Sequence, residues 1–187
     1  MEAATPGVFP EASMDELLAL PERSLGREYA RFMADRHFDP ADRDPVDVRL
    51  VPDRDLAWVL QRYRDVHDMW HVLNAMPTTL LGELGQKWFE AVHTGLPVAI
   101  LSSLMGPVRL KSTERRVLVR DLVPWALKAG TTAVNLLAIR YEDCLHRDID
   151  DVRREWKIIL PNSYLREPHI LYKKQRVPGM PVHSENN

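Results

Sequence analysis

Residues 53–93 read DRDLAWVLQRYRDVHDMWHVLNAMPTTLLGELGQKWFEAVH. Leu56, Val59, Leu60, Tyr63, Val66, Trp70 and Leu73 recur at three- and four-residue spacing, which places them on one stripe of a helix with 3.6 residues per turn. Asp53 stands just before the first periodic residue and can cap that helix, which runs to about Ala75. Pro77 has no N–H to donate into a continuing helix, so it breaks the run. Thr78 or Thr79 can then cap a second helix to about His93, with Leu80, Leu81, Leu84, Trp88, Ala91 and Val92 as its stripe. Two amphipathic helices joined by a short proline turn predict an antiparallel pair.

The same period recurs on either side. Ser13 can cap a short helical turn over 14–20, with Glu16 at the third position as a capping box requires. Leu25, Tyr29, Phe32 and Met33 mark a helix over 24–34. Residues 37–52 hold Pro40, Pro45 and Pro52 among many Asp and Arg, the composition of a surface loop. Residues 97–105 predict a more buried helix, and 113–129 a helix bent or interrupted at Pro124. Residues 148–159 are amphipathic, with Val152, Trp156 and Ile159 on one side, while the apolar stretch 133–141 fits helix or strand. There is no long strand alternation, internal repeat or glycine-rich phosphate loop. The expected fold is all-α, a compact orthogonal bundle of about seven helices. One domain is expected over 14–160, with a flexible leader over 1–13 and an irregular tail over 161–187.

A chain of 187 residues can bury the core of one domain. Hydrophobic residues at 45% and charged residues at 28% are ordinary for a soluble globular protein. Lys plus Arg is 25 against 27 for Asp plus Glu, so no basic excess points to nucleic acid. The single Cys144 excludes an intramolecular disulfide and a multi-cysteine metal site, and fits a reducing compartment. The uncharged stretch 94–108 is interrupted by Gly95, Pro97, Gly106 and Pro107. Its apolar kernel, 98–105, falls short of the roughly 18 residues a spanning helix needs, but can lie in an interface or line an apolar pocket. The acidic, proline-containing start MEAATPGVFPEASMDE reads neither as a signal peptide nor as an Arg-rich transit peptide.

The chemistry concentrates in the opening stretch. His67 and His71 are four apart, so their rings share one face of the helix, one turn apart. With Tyr63 as reference, His67 lies about 40° and His71 about 80° round the helix, inside and at the edge of the apolar stripe. Asp68 follows His67 directly and falls just beyond that stripe. Glu83 comes after eleven intervening residues, in the first turns of the next helix, which an antiparallel pair brings back across from the histidines. Two imidazoles and two carboxylates suit zinc, iron or manganese better than calcium. On spacing alone, a histidine pair without a ligand role on a half-buried helix stays open.

HDMWH, eleven residues and a glutamate resemble the HDxxH-x11-E signature of the coenzyme Q (ubiquinone) biosynthesis protein 4 family. SLGREYARFM at 24–33, the whole stretch 56–97, GPVRL at 106–110 and LVPWALKAG at 122–130 are similar to the family's core, and the resemblance covers 17–156. It implies that His67, Asp68, His71 and Glu83 ligate a metal, zinc before other divalent ions. It also implies a peripheral protein on the matrix face of the mitochondrial inner membrane, within the multienzyme complex of coenzyme Q synthesis. The implied activity is a carboxy-lyase reaction, C1 decarboxylation of 4-hydroxy-3-methoxy-5-polyprenylbenzoate. The alternative is a non-catalytic lipid-binding scaffold for that complex. Eukaryotic members usually carry an N-terminal extension with a presequence, which is not seen in this chain.

A decarboxylase needs an acid or base, and Glu90 or His93 can serve. Glu90 lies seven residues from Glu83 on the same face and is the better placed. A polyprenyl substrate needs an apolar channel, for which Trp88, Phe89, Ile100 and Leu104 are candidates, with plain core packing as the alternative. Arg109 and Lys111 can touch lipid phosphates or the substrate carboxylate, or sit in a solvated loop. The expected partners are other enzymes of the complex, the polyprenylated benzoate, the membrane surface and a further copy of the chain, with no nucleic acid. A His-Asp phosphohydrolase is disfavoured, because its extra upstream ligand would have to be His37, in the proline-rich loop.

Overall fold

A computed structural model describes residues 12–39, 46, 47, 49, 51–162 and 165. Most of the expected leader, much of the 37–52 loop and nearly all of the expected tail lie outside these residues. The helices are α1 (Met14–Leu18), α2 (Leu25–Arg36), α3 (Arg54–Asn74), α4 (Leu80–Thr94), α5 (Pro97–Met105), α6 (Ser112–Val117), α7 (Val123–Thr132) and α8 (Ile149–Glu155). Among the described residues there is no strand, only an isolated bridge between Ser24 and Asp148. The protein is therefore an all-α bundle, and since α6 and α7 are joined by a π turn over Leu118–Leu122, the described residues form seven rods.

Side chains set the helix starts. Ser13, Ser24, Asp53, Thr79 and Asp148 each accept a backbone N–H from the first turn that follows, satisfying donors that have no partner inside the helix. The ends close differently. After α3, Ala75 turns left-handed (φ 51°), its N–H reaches the Val72 carbonyl at 3.2 Å, and the Met76 N–H reaches His71 at 2.9 Å. His37 after α2 and Lys157 after α8 close their helices in the same left-handed way. α2 consequently runs two residues beyond its expected end, and α8 stops four short of it.

Pro124 neither ends nor sharply breaks its helix. Because it offers no N–H, the turn before it widens, and the Val123 N–H bonds five residues back to Leu118. Residues 133–141 are neither helix nor strand. They hold a short 3₁₀ turn, Leu136–Ala138, and lead into another, Tyr141–Cys144.

Trp70 forms the centre of the core. It meets Tyr63, Phe89 and His93 edge-on, and its indole N–H donates to the Tyr141 hydroxyl at 2.8 Å. Phe89 stacks on His93 and Trp125. Arg153 of α8 reaches the last carbonyls of α3, Val72 and Leu73, each at 2.9 Å. The expected α3 stripe holds only in part. Leu56 is exposed and Val59 and Leu60 are only half-buried, whereas every residue over 68–76 is buried, so the last turns of α3 are enclosed on all sides.

α5 is the clear departure from expectation. It was expected to be buried, yet only Ala99 and Ser103 are. Leu101 is 63% exposed, Met105 61% and Val108, just beyond, 74%. Val98, Ile100 and Leu104 join them on the outside.

Candidate metal centre

α4 packs closely on α5 and α7, and α3 on α2. α3 and α4 meet through long side chains. Asn74 on α3 donates to Gln86 on α4 at 3.1 Å. One turn away, between the same two helices, lies the cluster of His67, His71 and Glu83, whose donor atoms all fall within 4.8 Å of one another.

The turn after α3 positions Glu83. At Gly82 a Cβ would fall 2.1 Å from the Pro77 carbonyl oxygen, so only glycine lets the start of α4 lie this close to the proline turn. Glu83 then faces both imidazoles. Its Oε1 is 3.4 Å from His71 Nε2 and its Oε2 is 3.7 Å from His67 Nε2. The two rings stand 4.8 Å apart at 81°.

Both rings are held from behind through Nδ1. The Nδ1–H of His71 donates to the Met76 carbonyl at 3.0 Å, made possible by the left-handed turn at Ala75 that folds Met76 back over the helix end. That leaves Nε2 of the wholly buried His71 without a hydrogen-bond partner, an arrangement that normally carries a cost. The Nδ1 of His67 faces Glu90 Oε1 at 2.6 Å. Glu90 is completely buried, and its other oxygen takes Lys87 Nζ at 2.8 Å and the Tyr63 hydroxyl.

The electrostatics follow from these contacts. Burial alone would hold His67 down, but the Glu90 carboxylate, assisted by Glu83, carries it up to about 9. Burial favours a neutral Glu90, yet His67 and Lys87 hold it down at about 2. Glu83 lies well below the ordinary carboxylate range because the two imidazoles outweigh its burial. Burial and the neighbouring Glu90 push the Tyr63 phenol far up, so it stays a donor.

Two outward-facing Nε2 atoms and a carboxylate fit a divalent cation. Bonds of about 2.0–2.2 Å to a tetrahedral ion set donors roughly 3.3–3.6 Å apart, close to the 3.4 and 3.7 Å from Glu83 to the two imidazoles. The orphaned Nε2 of His71 is the group such an ion would satisfy.

The remaining candidates are placed as follows. Asp68 is buried on α3 outside the three-residue cluster. Glu90 stands behind His67, away from Glu83. His93 is committed on both nitrogens, its Nδ1–H donating to the Gly130 carbonyl at 2.9 Å and its Nε2 accepting the Leu136 N–H at 3.1 Å. Phe89 is in the core, Trp88 is half-buried, and Ile100 and Leu104 are exposed. Arg109 and Lys111 are exposed beside the apolar end of α5. The link from Glu90 to Tyr63, His67 and Lys87 does not show in the sequence spacing. Its one visible trace was Lys87, three residues before Glu90 and four after Glu83.

The fold and this cluster define an all-α protein with a candidate divalent-metal centre between two helices. The chain belongs to the family described as coenzyme Q (ubiquinone) biosynthesis protein Coq4, whose model matches residues 8–162. It is therefore a member of a family of ubiquinone biosynthesis. It is 46% identical over 153 residues to the mitochondrial ubiquinone biosynthesis protein COQ4 homolog of Rattus norvegicus, and 45% identical over 153 residues to that of Homo sapiens. Each match covers 82% of this chain and 57% of the relative, so the chain spans little more than half the length of these mitochondrial proteins. A crystal structure described as a ubiquinone biosynthesis protein from Nostoc punctiforme superposes with a TM-score of 0.66, covering 78% of this chain and 67% of that one. At 23% identity that likeness speaks for the fold alone.

Proposed function

We propose that this chain is a metal-dependent carboxy-lyase of ubiquinone biosynthesis, removing the C1 carboxylate of 4-hydroxy-3-methoxy-5-polyprenylbenzoate. Its proposed ligands are His67, Asp68, His71 and Glu83, and its proposed ion is zinc or another divalent metal. The observation that carries this reading is the buried, unpartnered Nε2 of His71 beside Nε2 of His67 and the Glu83 carboxylate, in a member of this family. Such an ion supplies a Lewis acid and a template for a carboxylate or phenolate. The bond from C1 to the carboxylate breaks, carbon dioxide leaves, and C1 takes a proton in its place. Glu83, half-buried at the mouth of the cluster, marks the side from which substrate would enter. Glu90 is walled off from that side, so its proposed part is indirect.

A second reading is favoured by α5. An exposed apolar face of Val98, Leu101, Leu104, Met105 and Val108, followed by exposed Arg109, Lys111, Arg115 and Arg116, suits docking on an anionic lipid surface. No described helix is long and apolar enough to cross a membrane. We infer peripheral attachment to the matrix side of the mitochondrial inner membrane, with the prenyl tail approaching along Trp88, Ile100 and Leu104, and assembly with other enzymes of the pathway. In this reading the chain can also act as a scaffold, the ion joining α3 to α4.

The deciding experiment measures metal content and carbon dioxide release from a prenylated hydroxybenzoate for the wild type, His67→Ala and Glu83→Ala. Stoichiometric metal and activity in the wild type, both lost in folded variants, support the lyase. Metal persisting in both variants removes the site. Variants that unfold or fail only in complex assembly favour the scaffold.

A further inference from the structure

We propose that Glu90 is a positioning residue for the metal centre: held by Tyr63 and Lys87, it takes the Nδ1–H of His67 and so commits Nε2 of that ring to the ion. This rests on the metal-centre reading above. It departs from the expectation that Glu90 acts as the acid or base of the reaction.

An imidazole can ligate through either nitrogen, and the hydrogen bond made by one decides which is left for the ion. In His71 the Met76 carbonyl makes that choice. In His67 it falls to Glu90, whose Oε1 lies 2.6 Å from Nδ1. Glu90 Oε2 is bound by Lys87 Nζ at 2.8 Å and by the Tyr63 hydroxyl, so the carboxylate cannot turn away. With Glu90 fully buried, no water competes for its oxygens. Tyr63 is four residues before His67 on α3, and Lys87 three before Glu90 on α4, so each helix supplies one donor to the same oxygen. Lys87 also balances the Glu90 charge. The network is therefore neutral when the imidazole is neutral, the form that ligates metal, and ligation strands no buried charge. A carboxylate behind a ligating imidazole raises the ligand's basicity, and losing such a partner typically weakens metal affinity by about 10–100-fold.

The test uses the full chain loaded with Zn²⁺ or Co²⁺. Affinity is measured by chelator competition, and the Co²⁺ form is followed by its visible absorption bands, for the wild type, Glu90→Gln and Tyr63→Phe. The expected result is an affinity about 10–100-fold lower in Glu90→Gln, with altered bands and a retained helical circular-dichroism spectrum, and a smaller loss in Tyr63→Phe. In the zinc-loaded wild type, ¹⁵N NMR should find the His67 proton on Nδ1, a readout that does not depend on any variant folding. A wild type that binds no metal overturns the metal-centre reading itself. A wild type that binds while Glu90→Gln matches it in affinity and bands overturns the positioning role alone, as does a zinc-loaded His67 with its proton on Nε2.

Discussion

His67 and Glu90 act in opposite senses on the pH response expected of the metal-free protein. The folded His67 titrates at about 9, against about 6.5 in an unfolded chain. Between those values the folded form holds the extra proton. Its contribution is fully present below about pH 6.5 and is lost as pH rises through 9, with a slope of at most about 1.4 kcal/mol per pH unit. Glu90 works in the opposite sense. It is held at about 2, so its contribution is present above the unfolded value of about 4.3 and is lost as pH falls toward 2. Urea midpoints of the metal-free chain should fall from pH 7 to 9, and Glu90→Gln should flatten that fall. Equal slopes in the two proteins would show that Glu90 does not control His67. Saturating zinc should reverse the trend, because ligation needs the neutral ring. At this scale much of the site was legible. Four-residue spacing put the two imidazoles on one face, and the proline turn returned Glu83 to them. Asp68 was legible only as a neighbour of His67, because a helical wheel assumes one buried side, whereas this end of α3 is buried all round.

The starts of the helices were readable, and so were the ends of α3, α4 and α5, whereas α2 and α8 end elsewhere than expected. Ser13, Asp53 and Thr79 cap where expected, and Ser24 and Asp148, each the first residue of an expected helix, cap in the same way. α4 closes on left-handed Gly95, the usual signal, but α2, α3 and α8 close on left-handed His37, Ala75 and Lys157, which carry no such signal. Lys157 is exposed and its side chain is dispensable to the turn, so Lys157→Gly should relieve left-handed strain of about 1 kcal/mol and give back part of it as unfolded-chain entropy. A net gain of about 0.5 kcal/mol in urea denaturation is the expected result, and a loss would mean that the lysine contributes more than its backbone suggests. α5 was misread for a different reason. Apolar composition cannot distinguish a helix enclosed by neighbours from one with a bare outer face. The partners of Glu90 were invisible because Tyr63 and His67 lie 27 and 23 residues away.

For the molecule as a whole, the bare face of α5 lets the proposed lipid docking be tested apart from stability. Leu101 and Met105 bury little, so the double variant Leu101→Glu, Met105→Glu should leave the free energy of unfolding in urea within about 0.5 kcal/mol of the wild type. The same variant should no longer sediment with vesicles rich in anionic phospholipid, and should show unchanged metal content. Retained sedimentation would assign attachment to another surface. The end of α3 has a different consequence. His71 gives its carbonyl to the Met76 N–H and its Nδ1–H to the Met76 carbonyl, so ring and turn are tied at both ends of one residue. An ion held by Nε2 of that ring would also hold the loop between α3 and α4 closed. Transient opening of 75–79 would then require the ion to leave. Amide exchange and protease cutting at that loop would report occupancy of the candidate site, and a chain left without its ion would be the more readily degraded.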